Sequence, residues 1–346
     1  MTGVQTCALP IYLMAKLKYK SAVNQASRLL EATGMESEAA VVTASCIVAS
    51  DVWGIGSHGL MRLPFYLERL TSGGINSNAK LKEITNLPSL RIFDGESGMG
   101  HWQVKKAAEV AANLAHDQGI AAVGIGKSNH CGALGLYVWP MLDKNLVGIV
   151  FSNGPAVMPP WGGNKPLLST SPIAAGVPGK PPTIIDLATS AVARGKIAAK
   201  AQKNEALEPG WAFDQLGQPT LDAKVALNGM LAPLGGVKGY ALAVLVESLT
   251  GALVGPKLAA DVPDMFDNKV AHLPQDISHF VIAIKAEALT VDGDNRMEDL
   301  SKRIESAGGR LPGKNRKNPF EISEDTEFEI TDSVNSEIDA WSSKLL

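Results

Sequence analysis

Cysteine is scarce: Cys7, Cys46 and Cys131 are the three in 346 residues. Odd in number and without C-x-x-C spacing, they build neither a disulfide framework nor a zinc knuckle, which fits a reducing, cytoplasmic setting. Long apolar runs are missing too. None approaches the roughly 18 uninterrupted residues that a membrane helix needs, and no basic stretch precedes an apolar one at the start, so neither membrane anchor nor signal peptide is expected. An excess of positive charge is also absent: 32 Lys and Arg stand against 35 Asp and Glu, a net charge of -3. A chain without a global basic field has little to hold nucleic acid. The six histidines show neither HExxH nor HxH spacing, so no metal centre is expected.

Hydrophobic residues make up 45% of the chain, enough for one large or two medium cores. Residues 1–13 have no helical or strand period, and VQTCALPI resembles translated sequencing-adapter read-through. They are read as a non-native extension ahead of Met14. From Ala15 to Asp51 the pattern is helical, broken by Gly34, with Thr33 and Glu36 spaced as a capping box. Leu60–Leu70 and His101–His116 read as further helices. Ile120–Ile125, Leu146–Phe151, Pro182–Asp186 and His279–Ile284 read as strands, which makes the fold α/β. Lys238–Leu253 is apolar nearly all round and is assigned to a subunit interface. Met297–Ser306 reads as an amphipathic helix, and Glu321–Leu346 as a surface helix and arm.

Gly54-Ile-Gly56-Ser-His-Gly59 spells G-x-G-x-x-G, but alanine-rich helix precedes it and no acidic residue follows about 20 positions on. It is therefore not a Rossmann fingerprint. Spacings of four put His58, Arg62 and Tyr66 on one helix face, where a guanidinium can grip a carboxylate in paired hydrogen bonds and the ring groups can reach a neighbouring carbonyl. A solvated flank with Ser57 as cap is the plainer alternative. His130 follows the IAAVGI strand, where an imidazole is placed for proton exchange or, equally, for a structural cap beside Cys131. Asp186 closes PTIID; it can orient a histidine, bond a cofactor hydroxyl or cap a helix. Ser57, His58 and Asp186 could also form a hydrolase triad, though no G-x-S-x-G elbow accompanies them. Gly235-Gly-Val-Lys238-Gly239 opens a helix either as an anion-binding N-terminus, with Lys238 adding charge, or as a plain tight turn.

Taken together, SDVWGIGSHGLMRLPFYLERLTSGGI, GIGKSNHCGALG, MPPWGGNKPLLSTSPIAAGVP, IIDLATSAVARGKI, GWAFDQLGQPT and PLGGVKGYALAVLVESLTGAL resemble the non-Rossmann malate/L-lactate dehydrogenase family, over about residues 16 to 315. That family includes ureidoglycolate and sulfolactate dehydrogenases and a Δ1-piperideine-2-carboxylate reductase. The resemblance implies a homodimer whose central NAD(P)-binding domain has a mixed sheet of non-Rossmann topology, flanked by a helical domain built from both chain ends. The segments would be 14–120 (helical, substrate), 121–256 (cofactor, with a buried interface helix) and 257–346 (returning to the first). It implies hydride transfer between NAD or NADP and C2 of a small 2-oxo or 2-hydroxy acid, with cyclic imine carboxylate reduction as the alternative. His130 matches the acid/base. Ser57, His58, Arg62 and Tyr66 match the pocket lining, with Ser57, His58 and Asp186 as a relay. Cofactor positions would be His130, Cys131, Gly132, Ala133, Leu134, Asn153, Gly154, Asp186, Leu187, Ala188, Lys238, Gly239, Arg310 and Gly313. Where members often read G-T-N-P, this chain has Ser169-Thr170-Ser171-Pro172, and Lys257–Gln275 is hard to match.

Overall fold

A computed structural model describes residues 14–290 and 292–346, so Cys7 and the extension assigned to 1–13 lie outside the described residues. The first strand, β1 (Met14–Lys18), replaces the expected helix start. Its alternating MAKLK is compatible with either period, and the partner decides: β1 pairs antiparallel with β11 (Glu327–Thr331), tying the two ends of the described chain together. α1 (Tyr19–Ala32) follows and buries Val23, Ala26, Leu29 and Leu30 on one stripe. Next comes α2 (Ser37–Val52), whose N-cap Glu36 makes no side-chain capping bond. Thr33 instead donates back to Leu30 O at the end of α1, 2.6 Å away, so the expected capping box is not made.

α3 (Leu63–Thr71) is shorter than expected, because residues 56–58 and 60–62 form two separate 3₁₀ turns about the extended Gly59. β2 (Lys82–Leu87) and β3 (Leu90–Asp94) lead into α4 (Gly100–Gln118), which carries the alanine stripe across β4 (Ile120–Ser128). Short α5 (Trp139–Leu142) leads to β5 (Leu146–Ser152), β6 (Ile173–Val177) and β7 (Thr183–Leu187). A small lobe then holds α6 (Arg194–Gln202), β8 (Ala212–Phe213), α7 (Ala223–Leu227) and β9 (Met230–Leu231). It is followed by α8 (Val237–Glu247), β10 (Ile277–Lys285), α9 (Ala286–Leu289), α10 (Gly293–Ser306), β11 and α11 (Asp332–Leu345).

Seven strands form one mixed sheet in the order β2-β3-β4-β10-β5-β6-β7. Only β3 and β4 run parallel; the other neighbours are antiparallel. The order matches burial: β4, β5 and β10 are the most buried strands and sit centrally, while polar, exposed KEITNL forms an edge, where a strand has one solvated flank. The sheet extends past the expected 121–256 segment on both sides, because β2 and β3 come from 14–120 and β10 from 257–346. Registry places the C-terminal ends of β4, β5 and β7 on one rim, beside the starts of β6 and β10.

Candidate active site

Along that rim, the loop after β4 carries His130, and α3 delivers Tyr66 to it. The Tyr66 hydroxyl lies 2.7 Å from His130 Nδ1. Gly132 donates its backbone N–H to the same nitrogen at 3.3 Å, from a left-handed turn (φ 73°) that a side chain would strain. An N–H can only donate, so Nδ1 presents a lone pair and the neutral ring carries its proton on Nε2. Among the described residues, no hydrogen bond reaches Nε2. His58 stacks on His130 at 5.7 Å between ring centroids, with 13° between planes, and its Nδ1 is 3.0 Å from Ser57 Oγ.

Arg62 anchors itself through Nε to Ser57 O (2.7 Å), and no hydrogen bond among the described residues occupies its two terminal nitrogens. Ser57, His58, Arg62, Tyr66 and His130 therefore converge, though by two 3₁₀ turns and a helix start rather than one continuous helix face. Two further imidazoles were not singled out from sequence. His101, at the start of α4, meets the Tyr66 ring edge-on at 5.0 Å, is fully buried, and has no partner for either ring nitrogen. His279 on β10 is within hydrogen-bond distance of Asn129 O, 3.1 Å. Neither has a sequence spacing that ties it to His130. Among the described residues, no group of three His, Cys, Asp or Glu is placed to hold a metal ion.

Burial controls the charge state. It pushes His58 down to about 4, with the Arg62 charge adding to the effect. Burial holds His130 well below the ordinary imidazole value, helped by its neighbouring histidines and Arg62. His101 falls to about 3 and His279 to about 4, again chiefly by burial. All four rings are neutral at pH 7, and Tyr66 is held in its phenol form because burial raises its pKa. Without a bound carboxylate the pocket thus presents one guanidinium charge and a set of neutral hydrogen-bonding rings.

Asp186 lies apart from this group. It is the penultimate residue of β7, and β10, β5 and β6 separate it from β4. Its Oδ2 accepts the Gly135 N–H at 3.1 Å and faces Arg316 Nη1 at 3.5 Å, so it makes no bond to Ser57 or His58 and the three do not form a relay. Burial raises its pKa, opposed by Arg316. Asn153 is taken up by the frame: its Oδ1 accepts Ser278 N–H (2.9 Å) and its Nδ2 donates to Lys257 O (3.1 Å). Gly154 beside it faces open space, where an added Cβ would meet only Ser169 Cβ at 3.9 Å.

A dinucleotide fits this rim on three observations. Arg316 Nη1 is buried with no hydrogen-bond acceptor, close to the Asp186 carboxylate. Gly235 and Gly236 both have positive φ (57° and 68°) and bare the N-terminus of α8, with exposed Lys238 in its first turn. Leu234 N–H donates to Thr189 O (2.8 Å), which holds that turn beside the Asp186–Ala188 strand end. Gly239 packs too tightly for a side chain, 2.4 Å from Leu234 O at the Cβ position. Cys131, Ala133 and Leu134 are buried under the rim; Leu187 is at the surface. Pro312 O accepts Ile184 N–H at 3.0 Å, bringing Gly313 against β7, whereas Arg310 is exposed. At the departure from G-T-N-P, Ser171 holds the positive φ (39°) and is within 3.0 Å of Ser169 Oγ, so the serines bond each other.

The sequence profile of the malate/L-lactate dehydrogenase family matches residues 17–339. Over 328 residues the chain is 34% identical to a (2R)-3-sulfolactate dehydrogenase (NADP(+)) of Chromohalobacter salexigens, covering 94% of this chain and 97% of that one. Among solved structures, sulfolactate dehydrogenase from Methanocaldococcus jannaschii superposes with a TM-score of 0.85 at 28% identity, over 96% of this chain and 97% of that one. Δ1-Piperideine-2-carboxylate reductase from Pseudomonas syringae gives 0.86, also at 28% identity, over 94% and 99%.

Proposed function

This chain belongs to the malate/L-lactate dehydrogenase family, and from that premise we propose that it interconverts a small 2-oxo acid and its 2-hydroxy acid with NAD or NADP. The observation that carries the reading is the convergence of Arg62, with two unoccupied guanidinium nitrogens, on a pair of stacked imidazoles. When bound, the nicotinamide supplies or accepts the hydride at C2. Asp186, Arg316, Lys238 and the glycine turn opening α8 would hold the dinucleotide.

Arg62 binds the substrate carboxylate and fixes its plane. That carboxylate offsets the guanidinium charge, which adds to burial in holding His58 and His130 neutral, so substrate binding raises the proton affinity of His130. His130 then takes up one proton from solvent at Nδ1; the Tyr66 hydroxyl, 2.7 Å away, turns from donor to acceptor, and Nε2–H passes to the alkoxide forming on the substrate, which leaves the ring neutral with its proton on Nδ1. In the reverse direction the neutral ring starts with its proton on Nδ1, donated to the Tyr66 oxygen, Nε2 takes the hydroxyl proton, and the Nδ1 proton returns to solvent. His58, neutral and stacked on His130, donates to or accepts from the substrate oxygen without adding charge.

The structural likeness to the piperideine reductase supports a second reading, reduction of a cyclic imine carboxylate. A protonated imine brings its own positive charge and needs no proton from His130, which suits a ring held neutral. Purified protein assayed with pyruvate, oxaloacetate, sulfopyruvate and Δ1-piperideine-2-carboxylate, each with NADH and NADPH, separates the two. Turnover of the oxo acids supports the first reading, and turnover of the imine alone supports the second.

On the same reading the protein is a homodimer of the cytoplasm. No described helix is long and apolar enough to cross a membrane. On α8 and just beyond, Val237, Leu242, Val244, Leu245 and Leu253 are exposed, an apolar face of the kind that a second subunit covers.

A further inference from the structure

The hard-to-match stretch from Lys257 to Gln275 places one aromatic ring on the substrate arginine. Arg62 Cζ lies 4.5 Å from the Phe266 ring centroid and 5.7 Å from that of Phe65, and the two rings meet edge-to-face at 5.5 Å and 87°. The guanidinium is thus faced by aromatic rings, leaving its in-plane edge for a carboxylate. Phe266 does not depend on Arg62 for its position. Its neighbour Met265 is buried in the helical core, Asp264 pairs with Arg194 at 3.3 Å, and Gln275 Nε2 donates to Pro263 O at 3.2 Å. Fully buried Arg69 donates to Leu273 O at 2.5 Å.

The cations bordering the segment are already committed: Arg194 to Asp264, Lys257 to Asp276 at 3.1 Å, and Arg69 to backbone carbonyls. Lys269, also in the segment, is exposed, and among the described residues Arg62 is the cation that faces the Phe65 and Phe266 rings. A second carboxylate or sulfonate on the substrate would lie against phenyl rings, Phe65 half-buried and Phe266 42% exposed, whose negative faces offer an anion no counter-charge.

We propose that Phe266 is a specificity-determining residue, and that the site prefers 2-oxo acids with one carboxylate and a small apolar substituent over acids bearing a second anionic group. The inference rests on the oxidoreductase reading above and sets this chain apart from its relatives named for sulfolactate.

The test is kcat/KM for pyruvate, 2-oxobutyrate, oxaloacetate and sulfopyruvate in the wild type, Phe266→Leu and Phe266→Lys, with thermal unfolding as a check that each variant is folded. The wild type is expected to favour the two monoanions by about tenfold or more. Phe266→Leu keeps the apolar wall but loses the ring face, so the preference stays while KM for pyruvate rises about 3- to 10-fold with kcat little changed. Phe266→Lys supplies a second cation and shifts the ratio toward the dianions by about tenfold or more. A wild type that prefers oxaloacetate or sulfopyruvate, or a ratio unmoved in folded Phe266→Lys, overturns the proposal while leaving the oxidoreductase reading standing. A wild type that reduces none of the four acids overturns both.

Discussion

At the scale of single residues, the chemistry depends on burial more than on unusual side chains. Four imidazoles with ordinary pKa values in water become neutral hydrogen-bonding groups because the fold takes water away from them. The cost appears as pH sensitivity. His101 has a folded pKa of about 3 against 6.5 in the open chain. Below pH 6.5 the unfolded chain therefore binds a proton that the folded one refuses, so the stability present above 6.5 is lost as the pH falls. His101→Gln is expected to shrink the stability loss between pH 7 and pH 5 by about 2 kcal/mol, measured by denaturant unfolding at both values. Asp51, which burial raises to about 7, titrates with the opposite sign and drops out of the comparison because both proteins contain it. An unchanged pH difference would mean that His101 is not held neutral.

Spacing revealed which residues of the 57–66 stretch belong together, but not how. Four-residue intervals suggested one helix, whereas Gly59 breaks it and His58 and Tyr66 still reach His130 from different elements. His101 and Phe266 were invisible for a plain reason: each reaches the site through long-range packing, and neither sits in a local pattern that marks chemistry.

At the scale of elements, segments with a strong period were legible and those defined by a distant partner were not. IAAVGI, LVGIVF and HFVIAI fall within β4, β5 and β10. KEITNL and IAAGV are too polar or too small to stand out, and MAKLK becomes a strand only because β11 lies beside it. The 263–275 segment is another case of long-range definition, being pinned to α3 by Arg69, which donates to the Val270 and Leu273 carbonyls. Arg69→Met is expected to cost about 1–3 kcal/mol by leaving carbonyls short of donors, and to speed amide exchange in 263–275. KM for the oxo acid should rise more than kcat falls, since Phe266 loosens with the segment. Exchange unchanged there would show that other contacts fix it.

At the scale of the whole molecule, the sheet rim joins two regions: the 60–62 turn and α3, near the start of the described chain, supply the arginine and tyrosine, and the central strands supply His130 and the dinucleotide cradle. α8 opens at the cradle with its glycine turn and turns apolar residues outward along its length, with Leu245 48% exposed. That geometry links assembly to the cofactor site. Light scattering should give a mass near twice that of the chain for the wild type, and near that of the chain for Leu245→Glu, because a charge opposing an apolar face has no partner. A monomeric wild type would remove the dimer from the account.

The central claim is that the His130 ring, held by Tyr66 and Gly132, transfers the proton that accompanies reduction at C2. The most direct measurement pairs steady-state turnover of the best oxo acid with NAD(P)H affinity by fluorescence, in wild type and His130→Ala. The account predicts a fall in kcat of about 100- to 10,000-fold with cofactor affinity within a few-fold of wild type. Turnover by folded His130→Ala at the wild-type rate would contradict it.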